Sequence, residues 1–304
     1  MIPAYKTDYG TCFYGDATLL ETGPLWATIE GQVDLILTSP PFALARRKKY
    51  GNLVGDEYIE WFASLSQTFA KLLKPRGSIV IEMGNAWIKG KPIMATHPIR
   101  ALLEFMDRGN LNLCQQFIWH NPARLPSPAQ WVNVERIRVK DAFTHIWWMA
   151  KDEKPQANNR NVLKEYSQSM MDLFERGTYN AGVRPSEHQI GEKSFLTNNN
   201  GAIRSNVFTI SNTRSSSPYL TYCRKNKYKR NPARMPSEIA EFFIRFLTKP
   251  GNLVLDPFAG SNTTGAVAES LGRSWISIEK SIEYILGSRG WFVQPKDMAA
   301  LTGM

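Results

Sequence analysis

The stretch Val33-Asp34-Leu35-Ile36-Leu37-Thr38-Ser39-Pro40-Pro41-Phe42 decides the fold of this chain. Its first five residues form a mostly apolar run, which is typical of a short strand buried on both faces. Two prolines end the strand, and because a residue before proline avoids the α region, the loop is stiff and extended. The loop presents the Ser39 hydroxyl, proline carbonyls and the Phe42 ring where open α/β sheets hold their ligands. The stretch therefore predicts a ligand-handling loop on a mostly parallel sheet.

A second informative stretch lies far downstream, at residues 253–265. An apolar strand runs into a turn of small residues, and a helical segment follows to about Leu271. Gly260 allows the backbone to approach a ligand closely, and the free N–H groups at the start of the helix suit a carboxylate. Glu279 ends the next apolar strand, where an acidic side chain can bind ribose hydroxyls. The stretch predicts a nucleotide-type pocket, although a strand–helix turn without a ligand would share this pattern.

Strand-like and helix-like segments alternate through most of the chain, which indicates a doubly wound α/β sheet. Strands are predicted at residues 12–14, 33–37, 78–84, 116–119, 143–149, 253–256 and 275–279. Helices are predicted at 58–73, 97–106 and 236–247, from the turn after residue 256 to about residue 271, and near 282–286. The breakers at 74–77 are predicted to end the helix before them. From Lys151 to Asn231 the alternation fails, with one helix-like patch at 162–174 and one strand-like patch at 202–210. An irregular unit is therefore expected inside an α/β core.

The charge of the chain is strongly basic and unevenly distributed. The 304 residues carry 37 basic and 27 acidic side chains, a formal net charge of +10, and 43% hydrophobic residues suffice for a packed core. Residues 151–230 carry 14 basic and 7 acidic side chains, whereas 231–304 carry 7 of each. A polyanionic partner would explain this excess, because neutralised phosphates release counterions and supply affinity for any sequence. A basic surface in contact with solvent alone would explain it equally well.

Cysteine and histidine usage argues against metal and disulfide chemistry. Three cysteines and four histidines are scattered without ligand spacing, so neither a zinc site nor a disulfide framework is predicted. The first residues have no apolar signal core, and no run is long enough to span a membrane. We therefore expect no metal, no membrane and a cytoplasmic protein.

Taken together, the Ser-Pro-Pro-Phe loop and the downstream Asp-Pro-Phe-Ala-Gly-Ser turn resemble the amino-methylating DNA methyltransferases. The order of the two motifs matches the permuted (beta-type) group, and Ser39 is most similar to the cytosine-N4-specific restriction–modification members. The resemblance implies a Rossmann-like S-adenosylmethionine-dependent methyltransferase fold with a mixed, mostly parallel sheet and an inserted target-recognition region. It divides the chain into a catalytic half (1–150), the target-recognition region (151–230) and a cofactor-binding half (231–304).

The resemblance also assigns the cofactor-binding residues for S-adenosyl-L-methionine. They are Asp16, Asp256, Phe258, Gly260, Ser261, Asn262, Thr263 and Glu279. Asp16 matches the family residue that contacts the adenine amino group, and segment 228–242 resembles the element that closes over the methionine end. Asn262 replaces the last glycine of the family pattern, and asparagine tolerates the left-handed region better than most residues.

An exocyclic amine is a poor nucleophile because its lone pair is delocalised into the ring. The predicted catalytic residues are Ser39, Pro40, Pro41 and Phe42. The Ser39 hydroxyl and the Pro40 carbonyl suit the two amine N–H groups, and Phe42 suits stacking on a base flipped out of the duplex. Ser39 is a weak base, so we expect the amine proton to leave after methyl transfer, to water or another group.

Cations near the catalytic loop and in the insert are predicted to bind double-stranded DNA. They are Arg46, Arg47, Lys48, Lys49, Arg184, Arg204, Arg214, Arg224, Lys225 and Lys227. A cognate restriction endonuclease would be a functional rather than a physical partner. Three alternatives remain open: an adenine-N6 enzyme of the same fold, a protein or RNA methyltransferase, and a non-catalytic DNA-binding protein.

Overall fold

The computed structural model describes residues 1–42, 53–293 and 295–297. The chain forms two compact units, one made of residues 1–157 with 206–304 and one made of residues 158–205. The described strands are β1 (Ile2–Lys6), β2 (Gly10–Tyr14), β3 (Val33–Thr38), β4 (Leu73–Gly84), β5 (Asn112–His120), β6 (Phe143–Ala150), β7 (Gly182–Val183), β8 (Gln189–Ile190), β9 (Val207–Thr209), β10 (Leu253–Asp256), β11 (Ser274–Glu279) and β12 (Lys296–Asp297).

Ten of these strands form one mixed sheet in the larger unit. Their order is β12-β1-β2-β11-β10-β3-β4-β6-β5-β9. The central strands β2, β11, β10, β3 and β4 are mutually parallel, whereas β6 runs antiparallel to both of its neighbours, β4 and β5. The carboxyl ends of β2, β11, β10, β3 and β4 therefore meet at one edge. This confirms the mixed, mostly parallel sheet.

Helices cover both faces of the sheet. The described helices of the larger unit are α1 (Pro24–Ile29), α2 (Gly55–Leu72), α3 (His97–Gly109), α5 (Pro218–Asn226), α6 (Ser237–Leu247), α7 (Thr263–Ser270) and α8 (Ile282–Ser288), whereas α4 (Gln168–Arg176) belongs to the smaller unit. Trp147 of β6 joins the apolar core formed with α2 and α3, whereas Trp148 contacts Phe246 of α6. Because successive strand residues face opposite sides, α2 and α3 lie on one face and α6 on the other.

Several elements differ from the predictions. β4 begins at Leu73 and so includes the predicted breakers, because Leu73 pairs with Val33 before a register shift to Ser78. Within 162–174, helix begins only at Gln168, where the Ser167 hydroxyl caps α4 by accepting from the Met170 amide. Of the patch 202–210 only β9 is strand. β1 and α5 carried no recognisable pattern in the sequence.

The smaller unit, residues 158–205, has little regular structure. It contains a short 3-10 helix (Asn159–Val162), α4 and the two-residue strands β7 and β8, which pair antiparallel. Reciprocal backbone hydrogen bonds between Lys164 and Ala202 (3.0 and 2.8 Å) bring its two ends together. The aromatic pairs Tyr166–Phe174 and Tyr179–Phe195 supply part of its packing.

Within residues 1–42, 53–293 and 295–297, no helix is both long and apolar enough to cross a bilayer. Over the same residues, the side chains of His, Cys, Asp and Glu form no cluster that could hold a metal ion.

Candidate active site

A cleft opens at the edge of the sheet where β2, β3, β10 and β11 end. It encloses about 1030 Å³, including its open mouth. It is lined by Gly15, Asp16, Ala17, Ser39, Pro40, Pro41, Phe42, Asn231, Pro232, Ala233, Met235, Asp256, Pro257, Phe258, Ala259, Gly260, Ser261, Thr263, Thr264, Ile278, Glu279, Lys280 and Tyr284. All four predicted catalytic residues and seven of the eight predicted cofactor residues are in this lining. Two stretches separated by more than two hundred positions therefore share one cavity.

A direct hydrogen bond joins the Ser-Pro-Pro-Phe loop to the downstream turn. β3 is buried along its whole length, and the Thr38 hydroxyl at its end donates to Asp256 Oδ1 at 2.7 Å. Burial raises the pKa of Asp256 to about 6, although the hydroxyls of Thr38 and Thr264 and the Phe258 amide oppose this rise. Asp256 also accepts from the Phe258 amide at 3.1 Å, which shapes the turn.

Phe42 is seated against the end of β4. A Cβ built on Gly84 would lie 2.6 Å from Phe42 Cδ2, so only glycine leaves room for the ring in this position. Phe42 also packs against the apolar core from its edge. The Phe42 ring therefore packs in a defined position beside Ser39.

Glu82 of β4 lies behind Ser39 and was not singled out in the sequence. It is 4% exposed in a strand that is otherwise apolar at this point, and its carboxyl group is hydrogen-bonded with the Ser39 hydroxyl. Burial raises its pKa to about 7, against the lowering effects of Ser39, Arg124 and Thr144. A single acid within the run Ile79-Val80-Ile81-Glu82-Met83 was the signal that could have revealed it.

The glycine of the downstream turn is in the left-handed region and is closely covered. Gly260 has φ of 52°, and a Cβ at this position would lie 2.0 Å from Asn231 Nδ2. Its amide donates to Glu279 Oε2 at 2.7 Å, and the Ser281 amide donates to Glu279 Oε1, also at 2.7 Å. Burial raises the pKa of Glu279. Each carboxylate oxygen keeps a further lone pair for a ligand hydroxyl.

Asn262 is the one predicted cofactor residue that does not line the cleft. It adopts the left-handed conformation (φ 55°, ψ 39°) at the N-cap of α7, the position of the family glycine. Its side chain is 1% exposed, accepting from the Gly265 amide at 3.2 Å and donating to the Tyr5 hydroxyl at 2.9 Å. The Asn262 side chain thus stabilises the turn through these two hydrogen bonds.

The remaining predicted cofactor residues lie on the rim of the turn and at the end of β2. Asp16 caps a short 3-10 helix by accepting from the Thr18 amide at 3.0 Å. The hydroxyls of Ser261 and Thr263 are 3.0 Å apart, and the Trp291 indole donates to the Ser261 carbonyl at 2.8 Å. The turn is therefore held on several sides independently of any ligand.

The predicted DNA-binding residues fall into three sets, one outside the described residues and one in each of the two units. Arg46, Arg47, Lys48 and Lys49 lie outside the described residues. Arg184 and Arg204 belong to the smaller unit, where they donate to the carbonyls of Asn180 and Val162. Arg214, Arg224, Lys225 and Lys227 belong to the larger unit, and Arg214 forms an ion pair with Glu238.

The positive charge of residues 151–230 is concentrated in one short part. Residues 158–205 carry six basic and five acidic side chains, whereas residues 206–230 carry six basic and no acidic ones. Segment 206–230 belongs to the larger unit and continues into the cleft wall at Asn231, whose amide donates to the Tyr219 hydroxyl of α5 at 2.7 Å. A segment with six cations and no acidic residue of its own is therefore continuous in sequence with the cleft wall.

The described geometry can be compared with known proteins. The family model described as "DNA methylase" matches residues 33–288, which include both motif loops and the whole segment between them. The chain belongs to the DNA methylase family. The type II methyltransferase M.PvuII from Proteus hauseri is 45% identical over 289 residues, covering 94% of this chain and 84% of the relative. The DNA adenine methyltransferase YhdJ from Escherichia coli (strain K12) is 26% identical, covering 90% and 80%.

Solved structures agree with this membership. A PvuII DNA methyltransferase described as cytosine-N4-specific matches with a TM-score of 0.76 and 40% identity, covering 96% of this chain and 89% of that one. M1.HpyAVI in complex with S-adenosylmethionine matches with a TM-score of 0.52 and 18% identity, covering 93% and 98%. The second likeness shows the shared fold alone. Together they confirm the methyltransferase fold of this DNA methylase.

Proposed function

We propose that this DNA methylase transfers a methyl group from S-adenosylmethionine to the exocyclic N4 of cytosine in duplex DNA. One observation carries the proposal: Ser39 and Gly260 line the same cleft. The acceptor for an amine and the turn for a methyl donor are thus side by side. The 45% identity to M.PvuII favours cytosine N4 over the other amino targets.

The cleft residues fit the methyl donor. Because Gly260 has no side chain, the Asn231 amide packs directly against the backbone of the turn, and the α7 N-terminus beside it suits the methionine carboxylate. Glu279 would hold the ribose hydroxyls, Asp16 the adenine amino group, and Pro257, Phe258 and Ile278 the apolar faces. S-adenosylmethionine supplies an electrophilic sulfonium methyl when bound.

The Ser-Pro-Pro-Phe loop prepares the amine for attack. Ser39 Oγ and the Pro40 carbonyl accept the two N–H groups, which favours a pyramidal nitrogen whose lone pair is free. Phe42, seated against Gly84, stacks on the flipped base. The two prolines keep these acceptors fixed, so little reorganisation is needed when the new N–C bond forms.

Glu82 completes the path for the proton. In the proposed step the amine nitrogen would bond to the methyl carbon as the carbon–sulfur bond of the donor breaks and leaves its electron pair on sulfur. The nitrogen loses one proton to Ser39 Oγ, while the Ser39 proton moves to the Glu82 carboxylate. A carboxyl group with a pKa of about 7 is well matched to accept a proton near neutral pH. The weak basicity of Ser39 alone is thereby offset by the Glu82 carboxylate, which is the final proton acceptor.

Segment 206–230 is proposed to hold the DNA backbone next to the cleft. Arg224, Lys225 and Lys227 are exposed at the end of α5, and acidic side chains are absent from the segment. The smaller unit, nearly balanced in charge, is proposed to read bases, with Arg184 and Arg204 as candidates. Phosphate contacts position a protein on DNA, whereas base contacts specify the sequence.

The deciding experiment is mass analysis of nucleosides from DNA treated with the purified protein and labelled S-adenosylmethionine. We expect N4-methylcytosine. N6-methyladenine would establish the adenine alternative, which the 26% identity to YhdJ keeps open. Label in protein or RNA, or in nothing, would contradict the proposal.

The biological setting follows from the proposed reaction. Modification of a specific site protects DNA from an endonuclease that recognises the same site, so we propose a restriction–modification role with a cognate endonuclease as functional partner. The protein would then act in the cytoplasm of a prokaryote, where that DNA lies.

A further inference from the structure

We infer that Leu125 is a wedge residue, which enters the base stack of duplex DNA and fills the space that the target base leaves when it flips into the cleft. The inference rests on the proposed function, because this space arises only when a base is flipped. Leu125 is 81% exposed and lies in the loop between β5 and β6, at residues 121–142. None of the predicted site residues lies in this loop.

Two loops lie at the edge of the sheet where the cleft opens. β6 begins at Phe143 and runs antiparallel to β4, so loop 121–142 before it lies at the carboxyl end of β4. Loop 85–96 follows β4 at the same end, and we call the two together the edge loops. Gly84, the last residue of β4, packs against the Phe42 ring that lines the cleft. The edge loops therefore lie beside the site proposed to receive the flipped base.

Specific contacts hold the edge loops against each other. Asn85 Nδ2 donates to Asp141 Oδ1 at 2.8 Å. The Arg138 guanidinium lies 4.2 Å from the centroid of the Trp87 ring and also donates to the Pro92 carbonyl. The edge loops therefore present one joined surface to the solvent.

The backbone on both sides of Leu125 is held by hydrogen bonds. Before it, the Arg124 amide donates to the Asn121 carbonyl at 3.1 Å. After it, the Ser127 carbonyl accepts from the Asp141 amide at 3.2 Å. A side chain carried by an ordered segment loses little conformational freedom when it binds, which favours its insertion into a partner.

A short series of contacts connects Leu125 to the Phe42 ring. Its neighbour Arg124 donates through Nη1 to the Phe143 carbonyl at 2.9 Å, and Asn85 Nδ2 donates to the same carbonyl at 3.5 Å. Asn85 directly follows the glycine against which the Phe42 ring packs. The wedge and the ring proposed to stack on the flipped base thus belong to one connected group.

The edge loops combine exposed apolar side chains with an excess of positive charge. They carry six basic and two acidic side chains. Exposed apolar groups that share a surface with polar ones mark interaction sites, and the excess of cations suits the phosphates of a duplex. The exposed apolar side chains are those of Ile88, Ile93, Met94, Leu125, Val134, Ile137 and Val139.

A leucine side chain matches the space that base flipping creates. When the target base leaves, the two neighbouring base pairs expose apolar faces to water. Leucine is among the side chains that proteins insert between base steps, where it replaces part of the lost stacking. Insertion also blocks the return of the base, so Leu125 would offset part of the cost of unstacking and unpairing.

The test is single-turnover methylation by the full chain of a short duplex that carries a site methylated by wild type. One form of the duplex pairs the target base correctly, and the other places a mismatched base opposite it, which lowers the cost of flipping. In Leu125→Ala we expect the rate on the paired duplex to fall about tenfold relative to wild type. On the mismatched duplex the two rates should be nearly equal. Leu125→Met keeps a long apolar side chain and should retain most of the rate.

The matched control is Leu103→Ala, because Leu103 is also an exposed leucine but belongs to α3. Both of its rates should equal those of wild type. A second readout uses 2-aminopurine beside the target base, whose fluorescence rises when its neighbour unstacks. With the demethylated cofactor in place of the methyl donor, we expect a smaller rise in Leu125→Ala than in wild type.

Four results would overturn the inference. Wild-type rates in Leu125→Ala would show that no wedge acts at this position. An equal loss on paired and mismatched duplexes would show a general loss of DNA binding or folding. Unchanged rates with altered self-association, measured by sedimentation, would assign the surface to contacts between copies of the chain. Absence of methyl transfer to DNA by wild type itself would defeat the proposed function and the inference with it, whereas the first three results leave the proposed function standing.

Discussion

At the scale of single residues, Ser39 is the most direct test of the amine site. Ser39→Ala removes one acceptor and separates Glu82 from the substrate, so we expect the methyl-transfer rate to fall by about 10² or more. Binding of S-adenosylmethionine, measured by calorimetry, should remain. Ser64→Ala, at an exposed position on α2, is the control. A wild-type rate in Ser39→Ala would remove the assignment.

Glu82 predicts how the rate depends on pH. Its pKa of about 7 means that the carboxylate is lost as the pH falls through neutrality, so the single-turnover rate should fall with it. Glu82→Gln cannot accept a proton and should be nearly inactive at every pH. A rate profile that is flat between pH 6 and 8 in wild type would contradict this role.

The same residue predicts an opposite effect on stability. Because burial raises the folded-state pKa of Glu82 from 4.5 to about 7, the folded protein binds the proton more tightly than the unfolded chain does. This contribution is present below pH 4.5 and is lost as the pH rises through 7. Glu82→Gln should therefore be more stable than wild type at pH 8, by up to about 3 kcal/mol, with little difference at pH 4.5. Denaturant unfolding at the two pH values measures this.

Some residues of the candidate site could be predicted from the sequence, and others could not. Ser39 and Gly260 were predictable, because prolines and small residues after apolar strands mark loops at a sheet edge. Glu82 was not, because its importance comes from the strand register, which brings β4 beside β3 and so places Glu82 next to Ser39. The local sequence pattern does not specify which residues of different strands come into contact.

At the scale of elements, the turn between β10 and α7 depends on its glycine. Gly260→Ala combines a left-handed φ with a Cβ directed at Asn231, so we expect lost stability of about 1–2 kcal/mol and weaker cofactor binding. Gly251→Ala is the matched control, because its φ is 82° but the space around it is open. Calorimetry should show weakened cofactor binding only in Gly260→Ala.

The helices and strands themselves were largely predictable where one hydrophobic pattern, helical or strand-like, runs through the whole segment. β10 matches the prediction residue for residue, and α2 and α6 differ only at their ends. The breakers at 74–77 correctly predict the end of α2, which stops at Leu72. They conceal the start of β4 at Leu73, because pairing of Leu73 with Val33 makes this segment part of the strand and tertiary contact overrides local propensity. β1 depends on pairing with β2 and β12, which its five residues do not reveal.

At the scale of the whole molecule, composition located the charge only coarsely. The unevenness along the chain was readable, but the boundary between a balanced unit and a basic segment near residue 206 was not. β9 pairs with β5, and α5 packs against the region of α8, so tertiary contacts place segment 206–230 in the larger unit. The sequence prediction included this segment in the insert because both are irregular in sequence.

This placement gives the last prediction, on DNA affinity. Changing Arg224, Lys225 and Lys227 together to Gln removes three exposed cations next to the cleft. If each neutralises one phosphate, the slope of log K against log salt should become less steep by about 3, equally for specific and unrelated duplexes. The matched control changes three exposed cations of the smaller unit, Arg160, Arg176 and Lys193, to Gln. Both triple variants lose the same net charge, so a general field effect would alter both slopes alike. A change confined to the first variant would show that the DNA backbone is held beside the methyl-transfer site, whereas a change confined to the second would assign it to residues 158–205.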